Sequence, residues 1–402
     1  MTTPGAIDAV TDRPARAAAL AEELVTAGKL TSEVWRAAVH AVPRHVFVPS
    51  FYVRRDGRMV AIAAADPTTR AEWSRQVYAN APLVTKIRQG EADRLPVFLS
   101  SSSTPGLMTR MLETLDVRDD QRVLEIGTGT GYNAALLCHR LGDSRVFSVD
   151  VEPDLVDAAR QRLAELDYHP TLVVGDGAVG LAEHAPFDRL IATCSVPSIP
   201  WPWVAQLNVD GVILADIRIG LVAGNLVRLT RTAEDRAEGM FDAGQAAFME
   251  LRHSPGAGGR ISYPIASVDM SATKSITALD PRTPWSNPVV WFLAALRIGS
   301  HYRLGYTGGD PLHGPEAVSI TTPDGSRAEV SLAANASGEY AVIETGPVRL
   351  WQQLEHAHRQ WQDAERPGWP RLGLAVTPNN QTIYLDEPSR PLAVLADSPR
   401  RP

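Results

Sequence analysis

Cysteine is scarce: only Cys138 and Cys194 occur in 402 residues. Each lies in an apolar stretch, so both read as small core residues rather than redox or metal groups. Long apolar runs are missing as well. None approaches the ~18 residues of a membrane span, and the N-terminus lacks the apolar centre of a secretion signal. The expectation is a cytoplasmic chain with no membrane partner. Excess positive charge is also absent: the formal net charge is −7, which gives nucleic acid no support as a partner. The histidines His301, His313, His356 and His358 are scattered, and no metal site is expected. What remains is an ordinary globular balance, 44% hydrophobic and 21% charged. The length is that of about two to three domains.

One stretch organises the rest. Arg122 to Glu125 reads as the end of a buried strand, and Gly127, Gly129 and Gly131 follow at alternate positions. A helical pattern then starts at Asn133. Strand, glycine loop and helix in that order form the first turn of a doubly wound α/β domain. A dinucleotide site asks for a third glycine at position 132, where Tyr132 stands. The third glycine comes one residue early, and an acid, Glu125, precedes the loop. Glu-x-Gly-x-Gly-x-Gly is the pattern of S-adenosylmethionine (SAM) methyltransferases, where an acid can face the ligand's cation. Thr128 belongs to the same loop. Val146–Val149 reads as the second strand, ending at Asp150, an acid placed to accept from ribose hydroxyls. Val151 follows it. Asp176, before Gly177 at the end of a strand over 171–174, is placed to accept from the adenine amine; an Asx turn is its competing role.

Around this centre, residues 1–14 read as a loose tail and 14–41 as two helices broken at Gly28 and Thr31–Ser32. Serines fill 100–103. Thr104 or Ser103 is expected at the N-cap of a helix that carries Pro105 in its first turn. The next strand, Phe187–Thr193, ends at Cys194. Strands near 211–215, 226–230 and 246–251 complete a mainly parallel sheet with a late antiparallel part. Residues 252–262 read as a linker. Beyond it, helices near 289–296 and 348–362, strands at 327–332 and 339–343, and a hairpin at 372–385 suggest a further α+β domain. The tryptophans there (Trp291, Trp351, Trp361, Trp369) read as core. The expected division is 1–99 as an N-terminal helical and substrate-cleft region, 100–252 as the SAM-binding domain, and 263–402 as an accessory, peptide-recognising domain. The expected fold is thus a Rossmann-like α/β methyltransferase with N-terminal helices and an added C-terminal α+β domain.

Val42-Pro-Arg-His45, Phe47-Val-Pro49, Ala81-Pro-Leu83, Ser103-Thr-Pro105, Val123 to Gly131, Val149-Asp150, Gly175-Asp-Gly177 and Ala185 to Thr193 together resemble the protein-L-isoaspartate O-methyltransferases. The resemblance covers roughly residues 20–252. It implies that Ser103 hydrogen-bonds an acceptor carboxylate, with Ser102 and Thr104 as neighbours able to replace it. It implies that Glu125 lies near the methionine end of SAM, that Thr193 and Cys194 make backbone contacts beside the acceptor, and that Phe248–Arg252 closes over the site. Two features depart from the family. Gly106 stands where a histidine is usual, and about 140 further residues follow. The longer form is similar to methyltransferases that accompany ribosomally made, ATP-grasp-macrocyclised peptides, with relatives in lanthipeptide and lasso-peptide pathways. There the resemblance implies esterification of an Asp side chain of a modified precursor peptide, then aspartimide formation.

Overall fold

The computed structural model describes residues 13–89, 96–220, 222–257, 272–309 and 314–395. The expected tail, the connector at 89–94, the linker's far end and His313 lie wholly or partly outside them.

The chain opens with helices α1 (Arg13–Thr26), α2 (Glu33–Ala41) and α3 (Arg44–Phe47). A small antiparallel sheet follows, with β1 (Ser50–Arg55), β2 (Arg58–Ala63), β3 (Leu83–Arg88) and β4 (Val97–Ser102), and with α4 (Arg70–Gln76) between β2 and β3. The serine run is therefore largely strand. Ser100 and Ser102 turn inward, at 3% and 2% exposure, because side chains alternate across a strand. Thr104 stands at the N-cap position of α5 (Pro105–Thr114) without a capping bond from its side chain, and Pro105 opens the helix.

The doubly wound part runs β5 (Val123–Ile126), α6 (Tyr132–Leu141), β6 (Val146–Asp150), α7 (Pro153–Ala164), β7 (Thr171–Val174), β8 (Phe187–Val196), α8 (Trp201–Ala205) and β9 (Leu207–Ile219). These strands pair in parallel in the order β9-β8-β5-β6-β7. Antiparallel β10 (Ala223–Ala233) and β11 (Arg236–Phe241) extend the sheet beyond β9. Residues 246–251 form no full strand. They run beside the end of β8 through a single bridge, Ser195 to Glu250.

The C-terminal part departs from the expected division. A five-stranded sheet comprises β12 (Thr273–Thr277), β13 (Arg303–Thr307), β14 (Ala317–Thr321), β15 (Arg327–Ala334) and β16 (Tyr340–Thr345), with α9 (Thr283–Ser286) and α10 (Pro288–Ile298) after β12 and α11 (Leu350–Asp363) after β16. The hairpin β17 (Leu372–Val376) and β18 (Gln381–Leu385), with β19 (Pro391–Leu395), instead joins the main sheet. β17 pairs with β11 from Ala237–Val376 to Met240–Gly373. The main sheet thus has ten strands, in the order β19-β18-β17-β11-β10-β9-β8-β5-β6-β7. Its antiparallel half is longer than the sequence led us to expect.

Two cores follow from the alternation of side chains. On one face, Leu124, Ile126, Ile213 and Ala215 pack with Val290, Phe292, Trp351 and Leu354 of α10 and α11. On the other, Val123, Val212 and Leu214 pack with Leu24, Trp35, Met111 and Leu136 of the N-terminal helices, α5 and α6. Helix α10 is apolar all round because the sheet and α11 cover it together; Val289 to Ala295 are all buried. Trp291, Trp351 and Trp369 are core residues, as their sequence setting suggests.

Candidate active site

The glycine loop needs its glycines. Gly127, Gly129 and Gly131 have φ of 97°, 53° and 87°, backbone that other residues adopt at a cost. A Cβ on Gly127 would lie 2.6 Å from Thr193 Oγ1, and one on Gly131 would lie 3.0 Å from Ala159 Cβ. Thr193 and Ala159 therefore pack directly on the loop backbone at the carboxyl ends of β5 and β6. The N–H of Gly129 donates to Asp150 Oδ2 at 2.9 Å, and that of Glu152 donates to Oδ1 at 3.0 Å. Burial pushes the Asp150 carboxyl above its usual range, against these two bonds. Each oxygen keeps a lone pair for a ligand hydroxyl.

Glu125 differs from its expected role. It is fully buried and held from two sides, by Asn133 Nδ2 at 2.7 Å and Ser148 Oγ at 2.6 Å. Ser148 Oγ also lies 2.7 Å from Thr128 Oγ1. The acid braces β5, β6, the loop and α6 against one another instead of facing a cleft. Burial pushes its carboxyl up to about 7, although both hydrogen bonds pull it down. Asn133 Oδ1 is buried without a partner among the described residues.

Asp176 makes the Asx turn, accepting from the Ala178 N–H at 2.9 Å. Its other oxygen lies 2.9 Å from His253 Nδ1. Gly177 packs close, since a Cβ there would lie 2.6 Å from Ile126 Cγ2. Val151 sits at a bend beside Asp150. Thr193 contacts the loop through its side chain as well, donating from Oγ1 to Gly127 O at 2.8 Å and Ile126 O at 3.1 Å. Cys194 Sγ points to Ile126 O at 3.9 Å, and burial drives its thiol pKa upward.

The segment after β11 crosses the same rim. Ser195 N donates to Met249 O and Leu251 N to Ser195 O, both at 2.8 Å. Arg252 pairs with Glu152 and donates to Leu99 O at 2.8 Å. Lys86 Nζ reaches Glu152 Oε2 at 2.8 Å, and Gly256 N reaches Oε1 at 2.6 Å. Burial works against charge on Glu152, yet Lys86, the Gly256 N–H and Arg252 together hold its carboxyl at about 2. This hub ties 252–256 to the small sheet and to the start of α7. Nothing in the sequence marked Glu152 beyond its place before Pro153.

The acceptor turn lies against the glycine loop: a Cβ on Gly129 would be 3.8 Å from Ser100 Oγ and 3.9 Å from Ser101 O. Ser102 is buried, and its hydroxyl accepts from Arg44 Nε at 3.3 Å. Ser103 and Thr104 are half-buried, and among the described residues neither hydroxyl is hydrogen-bonded. Asn80 supplies what a capping hydroxyl would, with its Oδ1 accepting from the Gly106 N–H at 2.9 Å. Sequence reasoning missed Arg44 and Asn80, although Arg44 stands inside the Val42–His45 signature.

A model of the family described as protein-L-isoaspartate(D-aspartate) O-methyltransferase matches residues 58–251. Protein-L-isoaspartate O-methyltransferase 1 of Archaeoglobus fulgidus is 35% identical over 200 residues, covering 49% of this chain and 77% of the relative. The Methylorubrum extorquens protein-L-isoaspartate O-methyltransferase is 32% identical over 256 residues, covering 63% of this chain and 96% of the relative. The chain belongs to the protein-L-isoaspartate O-methyltransferase family. It is accordingly a SAM-dependent methyltransferase acting on a peptide or protein. A solved structure titled protein-L-isoaspartate O-methyltransferase is 20% identical, with a TM-score of 0.49 over 92% of this chain and all of its own. The methyltransferase's own residues suit that cofactor. The bare loop leaves room at the strand ends, Asp150 has free lone pairs, and Asn133 offers an unpartnered acceptor. No helix among the described residues is long and apolar enough to cross a membrane.

Proposed function

We propose that this methyltransferase esterifies an aspartyl-type carboxylate of a peptide or protein, with the isoaspartyl carboxylate as the acceptor that family membership supports best. The observation that carries the reading is the approach of the serine run, at Ser100 and Ser101, to a glycine loop anchored on Asp150, with the half-buried Ser103, whose hydroxyl is uncommitted among the described residues, following in the same run. Bound at that loop, SAM supplies an electrophilic methyl on a cationic sulfur. The loop of Gly127, Gly129 and Gly131 would lie beside it, Asp150 would accept from the ribose, and Asp176 would accept from the adenine amine in place of its contact with His253. Ser103 would donate to one oxygen of the acceptor carboxylate, leaving the other to take the methyl as the neutral thioether departs. The carboxylate is ionised at neutral pH, with an unperturbed pKa of about 4. It therefore needs no general base, only orientation and exclusion of water.

A second reading keeps the chemistry and changes the substrate to a normal Asp of a ribosomally made, macrocyclised peptide, with aspartimide closure afterwards. Gly106 favours it. A Cβ there would lie 3.0 Å from Asn80 Oδ1 and 3.1 Å from Leu24 Cδ2, so the histidine usual in the family would have to push both side chains aside. The residues beyond the family match favour it too, since β17 extends the main sheet itself. Mass spectrometry of an isoaspartyl peptide and a macrocyclic aspartyl peptide, each incubated with enzyme and SAM, separates the readings. One added methyl on the isoaspartyl peptide supports the first. A methyl and then loss of methanol on the macrocycle alone supports the second. No methyl on either defeats both.

A further inference from the structure

We propose that Arg44 is the positioning residue of the acceptor half. Its buried guanidinium clamps Asn80 and Ser103 on two sides of a single positive charge, and that charge draws in the substrate carboxylate. The inference rests on the carboxyl-transfer reading above.

Arg44 is completely buried at the start of α3. Its Nη1 donates to Val77 O at 3.1 Å and Ala79 O at 2.9 Å, and its Nη2 donates to Ala81 O at 3.1 Å. These three carbonyls flank Asn80, so the loop wraps the guanidinium and sends the Asn80 side chain to the Gly106 N–H. On the other side, Nη2 donates to Ser102 Oγ at 3.2 Å, Ser102 O at 3.4 Å and Ser103 O at 3.2 Å. One side chain thus fixes both the residue that caps α5 and the turn that carries the candidate acceptor ligand.

Every one of these partners is neutral. Among the described residues no carboxylate pairs with Arg44. A buried charge without a counterion is costly, and a neutral donor would bridge carbonyls more cheaply. Burial lowers the guanidinium pKa to about 10, so it stays charged at neutral pH. The positive end of α5 begins at the same turn. Among the described residues Asn80 uses only its Oδ1, which leaves its amide donors for a ligand. The missing counterion is therefore the substrate's carboxylate, which finds a positive charge behind Ser103 and uncommitted donors in front of it.

The test compares the full-length wild type with Arg44→Lys and Arg44→Gln, using SAM and an isoaspartyl peptide. Calorimetry reads SAM affinity, and initial rates give acceptor KM and kcat. Arg44→Gln should raise acceptor KM by at least about tenfold while SAM affinity holds within about twofold, and Arg44→Lys should recover part of the loss. An unchanged KM overturns the proposal. So do equal losses in both variants with SAM affinity falling in parallel, the sign of a purely structural role. A second measurement needs neither folding of a variant nor turnover: calorimetry of the wild type, loaded with S-adenosylhomocysteine, with an aspartyl peptide and its asparaginyl twin. Preference for the carboxylate by about tenfold or more supports the charge, and equal affinity overturns it. Absence of transfer by the wild type would count against the carboxyl-transfer reading alone.

Discussion

The cofactor loop and the proposed acceptor turn lie so close that a Cβ added to Gly129 would touch Ser100 Oγ, yet they are put together in opposite ways. The cofactor half is a local device. Glu125, Thr128, Asn133 and Ser148 bind one another, and Asp150 holds the Gly129 N–H, across one strand-loop-helix-strand unit. The acceptor half is assembled from afar. Arg44 reaches residues 77–81 and 102–103, and Asn80 caps a helix that begins at Pro105. A device built from neighbours in sequence is stiff by construction and suits an invariant ligand. A device hung on one buried arginine depends on segments far apart in the chain, such as Asn80 opposite Gly106.

Four substitutions probe that contrast. The largest effect should come from Gly127→Val, which puts a branched side chain at positive φ and against Thr193 Oγ1. SAM affinity should fall by at least about 100-fold in calorimetry, and normal binding would show that the loop does not hold the cofactor. Asp150→Ala should weaken SAM by about 1.5–3 kcal/mol, the scale of hydrogen bonds to a charged group; unchanged affinity would remove Asp150 from the ribose.

Glu125 gives a pH signature next in size. Its carboxyl titrates near 7 when folded against 4.5 in the unfolded reference, so the folded chain binds the extra proton between those values. Its contribution is complete below the unfolded pKa and is lost as pH rises through about 7. Across that window wild-type stability should fall relative to Glu125→Gln by about 1–3 kcal/mol. Denaturant midpoints that run parallel with pH would contradict it. The smallest effect on stability should be that of Ser103→Ala, within about 0.5 kcal/mol, because its hydroxyl bonds nothing among the described residues.

The same contrast explains how much was legible in the sequence. The glycine spacing and Asp150 were readable because their partners lie within one supersecondary unit of fixed geometry. Glu125 was assigned a ligand-facing role because nothing in the motif reveals that Ser148 and Asn133 close around it. Arg44 was passed over because a buried arginine looks like an exposed one until chain segments far apart meet. The strands at 372–385 were legible as a hairpin, but a hairpin pattern does not name its neighbour. β17 pairs along β11, with Met240 beside Gly373, and the accessory region thereby joins the main sheet; Gly373 itself makes room for the Tyr384 ring.

The most direct test of the account follows an isoaspartyl peptide by mass spectrometry with SAM and either the wild type or Ser103→Ala, with SAM affinity measured in parallel. The account predicts one methyl, added as a base-labile ester, by the wild type. It predicts a transfer rate lower by about 10- to 100-fold in Ser103→Ala, with SAM bound equally well by both. Equal transfer by both proteins, or SAM bound with no methyl reaching a carboxylate, would contradict it.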